Sequence, residues 1–147
     1  MVMLFAACRK IECSNPTLVA SIQGYDSTEL DGMVVKQYAQ NTNFSASVSE
    51  VVFTTTRIWQ KGYTIFSTDA PYDYLIEIPK LNKTHRVTNI SFADDNYKEF
   101  FLQGEAEACS NGGSYQVDGK QHSFNKSDYC YPVGRDCHSV IYIQRSE

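Results

Sequence analysis

The chain has 147 residues, of which 42% are hydrophobic and 20% charged, and its formal net charge is −4 at pH 7. This length fits one domain, and the balance of apolar and charged residues excludes a chain that is disordered throughout. Lysine and arginine are scattered rather than grouped into a basic stripe, so nucleic acid is not an expected partner. No apolar run approaches the roughly 20 residues that a membrane-spanning helix needs.

The N-terminal segment is apolar and ends at a cysteine. Its sequence FAAC, ending at Cys8, resembles the site at which a bacterial lipoprotein is cleaved and receives its lipid. Phe5 stands where leucine is usual, and seven residues are too few for both a charged region and an apolar region of an export signal. The alternative is a buried N-terminal strand with a free thiol. We expect residues 1–8 to be the residual signal, Cys8 to be lipid-modified and residues 9–16 to be a tether.

The remainder, residues 17–147, shows strand patterns. In residues 18–25, Leu18, Ala20 and Ile22 alternate on one face. Residues 26–32 are rich in turn formers. The next β-prone segments are residues 33–38, 48–60, 63–67 and 140–143.

Two hairpins stand out. Residues 72–78 place Tyr72, Tyr74, Ile76 and Ile78 on one face, and residues 84–92 return after a turn at 79–83. A second hairpin is centred on Asp118-Gly119, a pair that favours a type I′ turn. We therefore predict a single all-β domain: an antiparallel β-sandwich, Ig-like or jelly-roll-like, with about eight or nine strands and few or no helices.

Four cysteines remain besides Cys8: Cys13, Cys109, Cys130 and Cys137. An even number in an exported domain favours two disulfides, with three connectivities open. The metal alternative is a zinc site formed by the last three cysteines and His138. Six residues separate Cys130 from Cys137, which is too many for a zinc knuckle, and no C-x-x-C occurs. We therefore expect disulfides and neither a metal nor another cofactor.

Aromatic residues in neighbouring predicted strands could form a sugar-stacking face. The candidates are Trp59, Tyr63, Tyr72 and Tyr74. The alternative is that these rings belong to the core and to cross-strand pairs, which contribute roughly 0.2–1 kcal/mol each. We favour the core.

The sequence also contains candidate glycosylation positions. Ser27, within Asp26-Ser27-Thr28, resembles a bacterial O-glycosylation signal, although an Asx turn also accounts for it. N-x-S/T sequons begin at Asn43, Asn82, Asn89 and Asn125, and they have meaning only in a eukaryotic secretory route.

Catalytic motifs are absent from the sequence: there is no G-x-S-x-G, H-E-x-x-H or phosphate-binding glycine loop. His85 and His122 lie in polar hairpin contexts, which predict exposed imidazoles. Asp94-Asp95-Asn96 fails the EF-hand pattern and predicts a solvated turn.

The runs TLVASIQGYDSTELDGMVVKQY, YDYLIEIPKLNKTHRVTNISF and CSNGGSYQVDGK resemble small lipoproteins of the Bacteroidota, in which a β-rich domain follows the lipid-modified cysteine. The resemblance implies a lipid-anchored outer-membrane protein on the periplasmic or cell-surface side, with a non-enzymatic structural or accessory binding role. Its partners would be the membrane and either a glycan or a surface protein. The alternatives are a glycan-binding module and a secreted hydrolase with a site assembled across strands.

Overall fold

Strands dominate the described part of the chain, and its two larger sheets share one hydrophobic core. The computed structural model describes residues 10–12, 17–54, 63–68, 72–92, 97–99, 113–124 and 138–146. The eleven strands of these residues are β1 Lys10–Glu12, β2 Thr17–Gln23, β3 Met33–Ala39, β4 Ser47–Phe53, β5 Tyr63–Thr68, β6 Tyr72–Ile78, β7 Lys83–Phe92, β8 Tyr97–Glu99, β9 Gly113–Val117, β10 Lys120–Ser123 and β11 His138–Gln144.

The larger sheet has six antiparallel strands in the order β10-β9-β7-β6-β3-β4. A 3₁₀ turn over Pro79–Leu81 joins β6 to β7 and ends at Asn82, whose φ of 50° is left-handed. Asp118 and Gly119, with φ of 50° and 79°, connect β9 to β10. Positive φ at both central residues is the requirement of a type I′ turn. The antiparallel pairs β6–β7 and β9–β10 confirm both predicted hairpins.

The smaller sheet contains three strands in the order β11-β2-β5. Strand β5 is antiparallel to β2, whereas β11 is parallel to it, with His138 opposite Thr17 and Gln144 opposite Gln23. The all-β sandwich is therefore confirmed, with one parallel pair where only antiparallel pairs were expected. The alternating apolar pattern of residues 140–143 predicts a strand but not its direction.

The core lies between these two sheets. Leu18, Ala20 and Ile22 of β2 are buried, as their alternation predicts, and they pack with Ile76 and Ile78 of β6. The cluster continues through the residues Tyr25, Leu30, Met33, Val35, Phe53, Tyr74, Val87, Ile90, Tyr115, Val117, Phe124, Ile141 and Ile143. Burial of such side chains from both sheets is the main stabilising term of the fold.

The turn-rich segment after β2 contains a single helical turn, α1, over Ser27–Leu30. The Glu29 carboxylate accepts a hydrogen bond from the Asp26 N–H at 2.9 Å, which satisfies a donor at the start of the helix. Leu30 is fully buried and fixes the turn to the core. The spacing Asp26-x-x-Glu29 is typical of a capping box, and this signal was available in the sequence.

The segment predicted as a tether, residues 9–16, includes strand β1, which pairs antiparallel with β8. Lys10 lies opposite Glu99, and Ile11 lies opposite Lys98. Within the described ranges, no helix has the length and apolar character to cross a membrane.

Candidate functional site

The cysteine predictions fall outside the described residues. This holds for the lipidation candidate Cys8 and for the disulfide candidates Cys13, Cys109, Cys130 and Cys137. Lipid attachment, disulfide pairing and the zinc alternative therefore stay predictions. In the described part of the chain, no three His, Cys, Asp or Glu side chains are grouped so that they could hold a metal ion.

The four aromatic residues considered for sugar stacking do not share one exposed face. Tyr74 is only 3% exposed, and Tyr72 packs against the core. Tyr63 begins β5, in the other sheet, and Trp59 lies outside the described residues. Because a buried ring cannot stack on a sugar, Tyr74 is excluded from a stacking face, and the alternative that these rings form core applies to Tyr72 and Tyr74.

The candidate glycosylation positions lie in turns and at a strand irregularity. Ser27 is exposed at the start of α1. Asn43, Asn82 and Asn89 all have positive φ, between 50° and 53°. Asparagine tolerates this conformation better than most residues, so the backbone accounts for its presence there without any glycan. Asn125 is outside the described residues.

His85 is the centre of a buried hydrogen-bonded chain. The prediction of an exposed imidazole is wrong, because His85 is 2% exposed and lies opposite Ile76 in the β6–β7 pair. Its Nε2 is 2.7 Å from the Tyr25 hydroxyl, and its Nδ1 is 2.7 Å from Asp118 Oδ2. His122, by contrast, is exposed, as predicted. The alternation of residues 84–87 places His85 on the face of buried Val87, and this signal could have identified its burial.

The partners of His85 use both of its ring nitrogens. An ionised carboxylate can only accept, so Nδ1 donates to Asp118, and the Tyr25 hydroxyl and Nε2 share the other hydrogen bond, in which the hydroxyl can act as donor or acceptor. Asp118 uses its other oxygen to accept the Arg86 N–H at 2.8 Å. Both ring nitrogens are therefore engaged, and the chain joins three segments: the end of β2, strand β7 and the β9–β10 turn.

An ion pair covers the Tyr25 end of this chain. The Arg145 guanidinium carbon lies 5.2 Å from the centre of the Tyr25 ring, and Arg145 pairs with Glu29 at 2.9 Å. Burial raises the pKa of Tyr25 above its ordinary value, and the nearby Arg145 opposes this shift. The Asp26 N–H bond, followed by Arg145, lowers the pKa of Glu29. The Tyr25 hydroxyl is therefore held in its neutral form.

A second buried polar group, Asp73, lies in β6 and is 7% exposed. Its carboxylate accepts backbone hydrogen bonds from Asn89 and Asn41, yet burial dominates and raises the pKa of this carboxyl. No described residue donates to its Oδ1. Since Asn41 follows β3 and Asn89 interrupts β7, Asp73 fixes two irregular points of the backbone to the sheet.

The two outer strands of the six-stranded sheet differ in exposure and composition. We call them the β4 edge (Ser47–Phe53) and the β10 edge (Lys120–Ser123). In the β4 edge every residue except Phe53 is exposed, including Val48, Val51 and Val52 at 52%, 41% and 54%. The β10 edge is shorter, exposed and polar. The sequence predicted both strands but not which of them would be outermost.

The described residues thus define an all-β sandwich with one buried tyrosine–histidine–aspartate chain and one apolar outer strand. Comparison with protein-family models, with curated proteins and with solved structures found no match to this chain.

Proposed function

We propose that the protein is a lipid-anchored outer-membrane protein on the periplasmic or cell-surface side, with a non-enzymatic structural or accessory binding role. In this proposal Cys8 carries the lipid, and the β-sandwich is the working domain. The resemblance to small Bacteroidota lipoproteins supports the location, and the sandwich with its exposed β4 edge supports a binding role.

The observation that carries the non-enzymatic part is the engagement of both nitrogens of His85. A histidine that acts as general base needs one nitrogen within reach of substrate and the other held by an orienting group. Here Asp118 occupies one nitrogen and Tyr25 the other, and the ring is almost fully buried. This arrangement is suited to joining segments of the fold and leaves no nitrogen for a substrate.

The glycan-binding alternative has less support from the structure than from the sequence. Tyr74 lies in the core and Tyr72 packs against it, so two of the four candidate stacking residues are used for packing. Where the structure describes side-chain exposure, the exposed large hydrophobic side chains are Val48, Val51 and Val52, and none of them is aromatic.

Metabolic labelling with palmitate tests the anchor. We expect the full-length protein, expressed with its native upstream sequence in a bacterial host, to incorporate label and to sediment with membranes. Cys8→Ser should lose the label and appear in the soluble periplasmic fraction. Cys13→Ser is the matched control and should label like the wild type. Equal labelling of Cys8→Ser and wild type would show that Cys8 is not the lipid-bearing residue.

Hydrolysis assays test the non-enzymatic part separately. The purified protein should give no turnover of ester, glycoside or peptide substrates above buffer. A turnover that disappears in a folded His85→Gln variant would contradict the proposal and assign catalysis to His85.

A further inference from the structure

The β4 edge carries features of a strand-addition site. It is seven residues long and forms one border of its sheet, and three of its valines are at least 41% exposed. Natural edge strands are usually protected by lysine, proline, bulges or short length. Strand β4 contains neither lysine nor proline and has one charged residue, Glu50. A register shift places a bulge at Val48, near one end of the strand, and the residues from Ser49 to Phe53 pair regularly with β3. An extended segment placed beside it would satisfy its outward backbone groups and cover the valines.

The charges beside Glu50 indicate what such a segment must contain. Glu50 lies opposite Lys36 of β3, and the Lys36 ammonium is 3.0 Å from the carboxylate of Glu77 in β6. Charges on this face therefore alternate in sign from β6 through β3 to β4. Glu50 ends the row, and its side toward the border of the sheet faces no described strand. A cation on the next strand would continue the alternation.

An apolar group lies beside Glu50 on the same face. Side chains two residues apart share a face where a strand is regular, and β4 pairs regularly with β3 from Ser49 to Phe53, so Val52 lies beside Glu50. Val52 is 54% exposed. The surface thus presents an acidic and an apolar residue at alternate positions along β4, and its complement is a basic and an apolar residue at alternate positions.

Strand β3 is an example of this complement within the protein. It pairs antiparallel with β4, and Val34 faces Val52 while Lys36 faces Glu50. We propose that the β4 edge docks an extended segment of another protein antiparallel to β4, with a lysine or arginine opposite Glu50 and an apolar residue opposite Val52. This inference rests on the proposed binding role and names the chemistry of its partner.

A second copy of this chain does not supply that chemistry through β4. In a symmetric antiparallel pair, each residue faces itself or a residue an even number of positions away. Symmetry about Glu50 would place two carboxylates opposite each other, and symmetry about Val51 would place Glu50 opposite Val52. Since β4 has no lysine or arginine, no symmetric register gives Glu50 a cation.

NMR titration of the isotope-labelled full-length protein tests the docking. The probe is a capped peptide with the sequence MVVKQYA, copied from β3. We expect its shifts to concentrate in residues 47–53 and to be absent from residues 120–123. A peptide with glutamate in place of the lysine should bind about two- to fivefold more weakly, as removal of one cross-strand charge pair implies.

Reciprocal variants locate the contact. Glu50→Lys should reverse the preference, so that the glutamate peptide binds more tightly than the lysine peptide. Val52→Thr keeps the charge and the β-branch, and it should weaken both peptides about equally. Lys120→Thr, on the β10 edge, is the matched control and should change neither affinity.

Several outcomes would overturn the docking proposal. These are absence of shifts at about 1 mM peptide, shifts centred on the β10 edge, or a peptide preference that Glu50→Lys leaves unchanged. Concentration-dependent line broadening in residues 47–53 without peptide would assign the β4 edge to a second copy instead. Each of these leaves the Cys8 labelling result intact, so failure of the docking is distinguishable from failure of the lipid anchor.

Discussion

Each outer strand of the six-stranded sheet belongs to a hairpin, and the two outer strands differ in the character of their exposed side chains. The β10 edge has four exposed polar residues, and its turn carries Asp118, which binds buried His85. The β4 edge has seven residues with three exposed valines, and its loop is held through Asn41 by buried Asp73. In each hairpin a buried polar group fixes the connecting segment.

The comparison separates attachment of the loops from the character of the edges. The loop before β4 is held by the buried carboxylate of Asp73, and the turn before β10 is held by its own Asp118, which binds buried His85. Poor attachment therefore does not explain the exposed valines of β4. Proteins ordinarily protect edge strands from pairing with other chains, and the exposed valines of β4 are part of the basis for the docking that we propose.

The largest effect is expected for Asp118→Ala. It removes the acceptors of the His85 Nδ1–H and the Arg86 N–H and places alanine at a φ of 50°. We expect a loss of about 3 kcal/mol in the free energy of unfolding, measured by urea denaturation, with faster amide exchange in β10. Asp118→Asn, which tolerates the same φ and keeps one acceptor, should lose about 1 kcal/mol. Equal, small losses for both variants would contradict an anchoring role.

Tyr25→Phe should have the next largest effect. It removes the hydrogen-bond partner of His85 Nε2 and leaves a buried ring nitrogen without one. The expected loss is about 1–2 kcal/mol by urea denaturation. Tyr38→Phe, at a partly exposed position, is the control and should lose less than about 0.5 kcal/mol. If Tyr25→Phe is as stable as the wild type, the Tyr25–His85 hydrogen bond does not stabilise the fold.

Asp73→Asn tests the contribution of buried Asp73, which holds the loop before β4, through the pH dependence of the free energy of unfolding. Burial raises the pKa of Asp73 in the folded protein, so folding favours the protonated form. The stability contributed by this group is fully present below its unfolded pKa of about 3.9 and is lost as pH rises through its folded pKa.

The wild type should therefore gain stability relative to Asp73→Asn when the pH falls from 7 to 4. Paired urea titrations at the two pH values measure this difference. Glu50→Gln controls for the loss of a surface carboxylate. A loss of stability relative to Asp73→Asn over this fall in pH would show that the hydrogen bonds from Asn41 and Asn89 outweigh burial.

The smallest change in stability is expected for exchanging the character of the two edges. Val48→Lys with Val52→Lys should alter the free energy of unfolding by about 0.5 kcal/mol or less, because both positions are exposed. The same pair should slow aggregation, followed by light scattering at raised protein concentration, since lysine protects edges. Lys120→Val should accelerate it. If neither exchange alters aggregation, the exposed valines do not make β4 an adhesive edge.

Sequence patterns predicted the parts of the fold that depend on neighbouring residues. Alternation gave the buried face of β2 and of β6, and Asp118-Gly119 gave the β9–β10 turn. These features depend on periods of two residues and on positive φ, which a single short segment encodes. The helical turn α1 was equally local, but its capping spacing was interpreted as a plain turn.

The site depends on pairings that no short segment encodes. The partners of His85 lie 60 and 33 residues away in the sequence, and they meet only because β7 is enclosed between β6 and β9. The order of strands also decides which one is outermost, so the exposure of Val48 and Val52 could not follow from their own segment. The alternation in residues 84–87 would nonetheless have placed His85 on the inner face.

The parallel pairing of β11 with β2 has a consequence for how the chain folds. His138 lies opposite Thr17, so the strands that meet in the three-stranded sheet are separated by most of the chain. Contacts between distant segments slow folding, because the closure entropy of the long loop is lost before the contact forms. Residues Ile141 and Ile143 complete the core only when β11 arrives. The core between the two sheets is therefore completed late in synthesis, after β11 has been made, whereas the pairings of the six-stranded sheet do not need that strand.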